Sequence, residues 1–312
     1  MADKIAAPLA DILDRLRGCD WVDLTHAFGP GIPHYSAFPD EEREVVFHFD
    51  EGVGSGGTGF LAHRYSHIGQ WGTHVDPPAH FARGGRTLDE LPVTDMLLPL
   101  VVVDVRELVD ADVDHAVSRH DLQAHEQRHG GIPAGAFVAL QTGWGARWPD
   151  GEAMANRDAD GIAHYPGWSV EALQFLVEQR GVTAVGHDTT DTDPGVVVSG
   201  GSAPAETYIL GADKWQIELL AGLDRVPPTG ALMLATWPKP REGSGFPARA
   251  SRSCRPPGPP RRRSSPVAPD RNKRSPCAGV AVDHAGGQQH QVVVRPRCCD
   301  AVTRARRRRC RS

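Results

Sequence analysis

The stretch from Gln70 to Phe81, reading Gln-Trp-Gly-Thr-His-Val-Asp-Pro-Pro-Ala-His-Phe, constrains this chain more than any other. It gathers two histidines, a carboxylate and a side-chain amide, and such a cluster predicts a metal site. His74 and Asp76 are two positions apart, so on an extended backbone their side chains project to the same face and converge. Pro77 and Pro78 then end any regular strand, because neither has an N–H to give and Pro78 keeps Pro77 extended. His80 is thereby carried on a stiff, non-helical turn, which suits a base held beside an ion. Taken singly, a histidine is more often a hydrogen-bonded core residue than a ligand; the grouping favours the functional reading.

The stretch resembles the signature of the metal-dependent cyclase family of hydrolases, which includes bacterial kynurenine formamidases and isatin hydrolases, with the pattern His-x-Gly-Thr-His-x-Asp-x-Pro-x-His. Gly72, Thr73, His74, Asp76, Pro78 and His80 match, while position 70 is Gln where the better-known members have His. Softer landmarks follow in the family's order over roughly residues 20 to 249: Asp23-Leu24-Thr25, Thr142-Gly143-Trp144, Gly186-His187-Asp188-Thr189, and the run from Gly243 to Arg249. In the formamidases the second half of the metal site is a His and a Glu twelve residues apart. Glu218 matches that Glu, and Glu206 stands where the His would be.

On one uninterrupted helix such a pair would be separated by about 18 Å, too far to share an ion. The chain must therefore fold back between them. Ala203 to Leu210 reads as a short helix, Gly211 is a suitable stop, and Trp215 to Leu219 can return as an extended segment. Glu206 alone is equally readable as a solvated helix residue. Glu218, flanked by Ile217 and Leu219, reads as buried, and a buried carboxylate needs a partner.

The resemblance implies an α/β fold, a swivelling β/β/α domain with mixed sheets and flanking helices. It also implies a ligand set: Gln70, His74 and Asp76 at a first position, with Asp76 bridging towards a second formed with Glu206 and Glu218, for one or two divalent ions. An amide oxygen at Gln70 and a carboxylate at Glu206 harden that set, which moves preference from zinc towards manganese. His80 is then the nearest unliganded base. Trp71 and Trp144 are candidate aromatic walls for a small-molecule substrate, and His187, at the end of a buried strand, is assigned to the substrate site as well. The expected reaction is hydrolysis of a cyclic amide, an N-acyl (formamide) group or a lactone by metal-activated water. The alternative is a catalytically inactive, metal-stabilised binding protein of the same fold. Retention of His80 counts against it, since a purely structural site needs no free base.

Composition divides the 312 residues near position 249. The segment from Ala250 onward holds 15 Arg, one Lys and three Asp, a net charge of +13, and leaves the first 249 residues at −18. Its prolines, arginine clusters and lack of periodicity predict disorder. A basic nucleic-acid-binding arm is one reading. The excess of Arg over Lys, with Pro, Ala, Gly and Ser, is also what G/C-rich codons give out of frame, and a frameshift from about Ala250 is the reading we favour. The acidic body disfavours nucleic acid as a partner. Cys19 is the only cysteine before residue 250, so the body has no disulfide framework.

Residues 1–19 read as an amphipathic helix with apolar positions Ile5, Leu9, Ile12 and Leu16. No apolar run approaches the roughly 20 residues that cross a bilayer, so a cytoplasmic protein is expected, and the resemblance implies a homodimer or larger. Strands are predicted at Trp21 to Phe28, Val45 to Phe49, Leu97 to Val105, Ala136 to Gln141, Val182 to Gly186 and Ala231 to Trp237. Helices are predicted at His120 to Arg128, Ser169 to Arg180 and Ala203 to Leu210. The glycine-rich run from Gly52 to Gly59 lacks the Lys and helix of a phosphate cradle and reads as a loop before the metal strand.

Overall fold

The computed structural model describes residues 9–50 and 59–254. Among these the strands are β1 (Asp20–Asp23), β2 (Glu42–Phe47), β3 (Ala62–Ser66), β4 (His74–Asp76), β5 (Leu97–Asp104), β6 (Ala116–Val117) and β7 (Phe137–Gln141). They continue as β8 (Gly167–Trp168), β9 (Ala184–His187), β10 (Trp215–Glu218), β11 (Ala231–Thr236), β12 (Phe246–Pro247) and β13 (Arg249–Cys254). The helices are α1 (Leu9–Arg17), α2 (Arg106–Ala111), α3 (Arg119–His129), α4 (Gly151–Ala155), α5 (Val170–Gln174), α6 (Gly195–Ser199) and α7 (Pro204–Gly211).

One nine-stranded mixed sheet, in the order β1-β13-β11-β5-β7-β9-β10-β4-β12, organises the fold. Its centre, β5, β7, β9 and β10, is parallel, and antiparallel strands extend it on both sides. The central strands are apolar on both faces, as strands covered on both sides must be. Val101, Val103, Val138, Leu140 and Val185 turn to one core, beneath α5 and α7. Leu100, Val102, Phe137, Ala139 and Ile217 alternate to the other, where Trp215 packs against Phe137 and Trp237.

Local sequence sets several boundaries. Ser169 caps α5 by accepting from Ala172 N, a π-helical turn continues it over Phe175–Arg180, and Gly181, at φ 64°, ends it in the left-handed conformation. Trp21 to Phe28, predicted as one strand, contracts to β1 plus a single bridge from Thr25 to Leu220. Val45 to Phe49, predicted as a strand, is one over Val45 to Phe47, the end of β2, which among the described residues pairs with β3 in a two-stranded antiparallel sheet separate from the large one. The run Arg249–Cys254 forms a strand between β1 and β11, with Ala250 fully buried, so the sheet continues across the boundary drawn at residue 249. Residues 255–312, which carry most of the predicted tail, lie outside the described residues, as do 1–8 and 51–58. No helix among the described residues is long and apolar enough to cross a membrane.

Candidate metal centre

Strand register assembles the site. β10 and β4 are antiparallel neighbours, with Glu218 opposite His74 and Gln216 opposite Asp76. The two-residue side-chain period puts all four on one face, while Val75 and Ile217 point to the opposite core. The entry to β4 is a tight turn: Gly72 has φ +62°, and a Cβ there would lie 2.8 Å from Phe28. Thr73 then donates through its hydroxyl to the Leu219 carbonyl at 2.6 Å and accepts from His26 N, which ties β4 to the end of β10. Helix α7 closes over this face and delivers Glu206. Asp193 accepts from Ala205 N at 2.8 Å and Glu206 N at 3.0 Å, placing a carboxylate at the positive end of the helix.

His74, Asp76 and Glu218 each bring a ligand atom within 4.8 Å of the others, and all three are buried. His74 Nε2 lies 3.3 Å from Asp76 Oδ2 and 3.5 Å from Glu218 Oε2, with no hydrogen-bond partner among the described residues. Its Nδ1 faces the Gly72 carbonyl at 2.8 Å, the second contact that normally fixes a ligating imidazole with Nε2 free for a metal. Burial alone lowers the His74 pKa, but Asp76 and Glu218 outweigh it and raise it to about 9. Burial, together with Asp76, likewise holds Glu206 and Glu218 well above the usual carboxylate range, and each is also opposed by other acids nearby. A divalent cation is the group these residues fit, because it would neutralise carboxylates that otherwise share one imidazole.

Gln216, overlooked in the sequence reading, lies at the hub. It is fully buried, and its Nε2 faces Glu206 Oε1 and Glu218 Oε1 at 3.1 Å and Asp76 Oδ2 at 3.4 Å. Two amide protons serve three carboxylates there. Its oxygen accepts from the Thr192 hydroxyl at 2.8 Å. The period that links His74 to Asp76 also links Gln216 to Glu218, so this residue was detectable.

The other sequence assignments are placed as follows. Gln70 donates through Nε2 to Asp76 Oδ1 at 3.1 Å and to the Ser244 carbonyl at 2.8 Å, so it offers the cluster a donor nitrogen and not the ligand oxygen expected. Glu206 stands beside the cluster, with Oε1 3.9 Å from His80 Nε2. His80 ends a single 3-10 turn of helix, Pro78–His80, where a non-helical turn was predicted, because prolines at its start need no N–H partner; its ring is partly exposed, and burial lowers its pKa. It is therefore neutral and able to accept a proton at pH 7.

Neither tryptophan forms an open wall. Trp71 is fully buried, with its indole N–H donating to Glu41 Oε2 at 3.0 Å. Trp144 is 2% exposed, donates to the Met154 carbonyl at 2.8 Å and stacks under the Arg147 guanidinium. Both rings found buried acceptors for their N–H groups and became core. His187 is also fully buried, 3.4 Å from Glu218 Oε1, and does not border an opening.

Residues 22–194 match the family model described as Cyclase. The chain is 32% identical over 241 residues to the isatin hydrolase of Roseibium aggregatum, covering 73% of this chain and 89% of that one. This chain belongs to the cyclase family of metal-dependent hydrolases. The cyclase fold is similar to that of isatin hydrolase A from Ralstonia solanacearum, with a TM-score of 0.73 and 32% identity over 81% of this chain and 100% of that one. It is also similar to an isatin hydrolase bound to the product analogue thioisatinate, with a TM-score of 0.73 and 26% identity over 82% of this cyclase and 100% of the relative.

Proposed function

We propose that this cyclase is a manganese-dependent hydrolase that opens a cyclic amide fused to an aromatic ring, as in isatin, to give an aryl amine carrying a carboxylate. The observation that carries this reading is the buried cluster of one imidazole and two carboxylates, His74, Asp76 and Glu218, with a neutral His80 beside it. One nitrogen and two hard oxygens favour manganese over zinc. When bound, a divalent ion lowers the pKa of a coordinated water from about 16 towards about 7 and polarises the carbonyl. His80 takes a proton as the water oxygen attacks the carbonyl carbon, and returns it to the nitrogen as the C–N bond breaks. Gln70 holds Asp76 in place, and Gln216 and Glu206 complete the polar lining. The isatin relatives support the cyclic amide over the formamide and lactone alternatives.

The partner is a small molecule. The body's charge of −18 disfavours nucleic acid. We place the protein in the cytoplasm as a homodimer or larger assembly. The ribbon of β2 and β3 supports assembly, because Val45, Phe47 and Tyr65 on it, with Phe49 and Phe60 just beyond, are 44–58% exposed and form more apolar surface than a monomer usually leaves uncovered. The test is elemental analysis of purified protein, then hydrolysis assays on metal-stripped protein with manganese or zinc restored. Manganese-dependent ring opening of isatin is the expected result. Full metal occupancy without hydrolysis of any cyclic amide, formamide or lactone would return the protein to the binding alternative.

A further inference from the structure

The two oxygens of Glu218 face different surroundings. Oε2 turns to His74, on the side where the ligand atoms gather. Oε1 turns into the protein, towards Gln216 Nε2 at 3.1 Å, the Thr192 hydroxyl at 3.2 Å and His187 Nε2 at 3.4 Å. The sheet register explains the last of these. β9 and β10 are parallel, with Ile217 beside Gly186, so the next residue on each strand, Glu218 and His187, stand side by side on the same face.

His187 is fully buried, and among the described residues neither ring nitrogen has a hydrogen-bond partner. A buried imidazole with both nitrogens unpaired is uncommon and needs a reason. Its backbone cannot swing away. The His187 carbonyl accepts from Leu220 N at 2.9 Å. The next residue, Asp188, is clamped by Thr142 N and Gly143 N at 3.0 Å each and by the Thr142 hydroxyl at 2.5 Å. The ring is thus fixed with Glu218 Oε1 just beyond hydrogen-bond contact.

We propose that His187 is a positioning residue for the metal centre: its Nε2–H holds Glu218 Oε1, so that Oε2 alone is presented to the ion. The role rests on the metal reading of the site given above. It replaces the substrate contact predicted for His187, which its burial rules out. Outer partners of this kind typically change metal affinity by about 10- to 100-fold when removed.

Calorimetric titration of metal-stripped protein with Mn²⁺ alone tests the role in four forms: wild type, His187→Leu, His187→Gln and His187→Asn. Glutamine carries an amide nitrogen about as far along the side chain as Nε2, whereas asparagine stops at the level of Nδ1. His187→Leu and His187→Asn should bind Mn²⁺ about 10- to 100-fold more weakly, and His187→Gln should stay close to wild type. The Co²⁺-substituted His187→Gln protein should keep the visible band positions of the wild type. Wild-type affinity in His187→Leu would overturn the role. If that variant does not fold, equal affinities in the Gln and Asn variants overturn it instead. Shifted Co²⁺ bands with weak binding in His187→Gln would make His187 a ligand and equally end the proposal. A wild type that takes up neither Mn²⁺ nor Zn²⁺ would instead remove the metal reading itself, a result distinct from any difference among the variants.

Discussion

Glu218 and His74 face each other across adjacent antiparallel strands, both buried, with Oε2 and Nε2 3.5 Å apart. Two groups so placed do not form a good hydrogen bond, yet they are too close to ignore each other. That spacing fits two groups sharing an ion, and the first prediction follows from it. His74→Ala and Asp76→Ala should purify largely without metal and without hydrolytic activity. Elemental analysis measures this, and full occupancy in Asp76→Ala would remove the site assignment.

His80 separates chemistry from binding. With its ring beside the cluster and its pKa lowered by burial, His80→Ala should keep its metal while losing about 10² to 10⁴ in turnover. Metal content and kcat measured on one preparation decide the matter. Loss of both together would make His80 a ligand.

Gly245 and Gln70 should be coupled. A Cβ at Gly245 would lie 1.9 Å from Gln70 Nε2 and 3.1 Å from Asp76 Oδ1, so Gly245→Ala must push the amide away from the carboxylate it holds. We expect Gly245→Ala to cost about 1 to 3 kcal/mol. Combining it with Gln70→Ala removes the obstacle, and the double variant should be more stable than the sum of the single losses. Denaturant melts of the four proteins give the coupling; strict additivity would contradict the contact.

The metal-free protein should lose stability as pH rises from 6.5 to 9. His74, raised to about 9, holds a proton in the folded chain that the unfolded chain releases near 6.5. Its contribution is therefore complete below 6.5 and lost through 9. Glu206 and Glu218, raised well above 4.5 by burial, act in the same direction, because ionising them costs more in the folded state. His26, His125 and His187, lowered to about 4 by burial, oppose this only between 4 and 6.5. A bound divalent cation would take the place of the protons, so saturating metal should flatten or reverse the slope. Thermal melts across this range, with and without Mn²⁺, measure it; metal-free stability that rises with pH would contradict the assignment.

Much of this site was legible because its signals are local. His74 and Asp76 announce a shared face by their spacing, and Glu218 is marked by the apolar residues on either side of it. The fold-back between Glu206 and Glu218 was likewise readable from Gly211 and the length of a helix, and α7 and β10 occupy those places. What escaped depends on partners remote in the chain. Trp71 reads as a wall until Glu41 supplies its acceptor, and Gln70 reads as a ligand until Ser244 turns its amide. Gln216 was overlooked because a neutral amide carries no titratable signal, although its spacing from Glu218 was available. His187 required the register of β9 against β10, which no local pattern contains.

The strand that carries His74 and Asp76 hydrogen-bonds on one side to β10 and on the other to β12, both encoded far downstream. At the opposite edge, the Thr25 hydroxyl meets the Ala250 carbonyl across 225 residues of sequence. During synthesis, then, the ligand strand emerges early and waits. The parallel centre can begin to form while its edges are still unmade, but the cluster has no second wall until Trp215 to Glu218 arrives and no flank until Pro247 has left the ribosome. Pairings of such long range are slow to find and leave unpaired edges exposed meanwhile. Metal capture should therefore be among the last events in this protein's maturation, and a chain cut short before Gly245 should be a poor metal binder even though His74, Asp76 and Glu218 are all present in it.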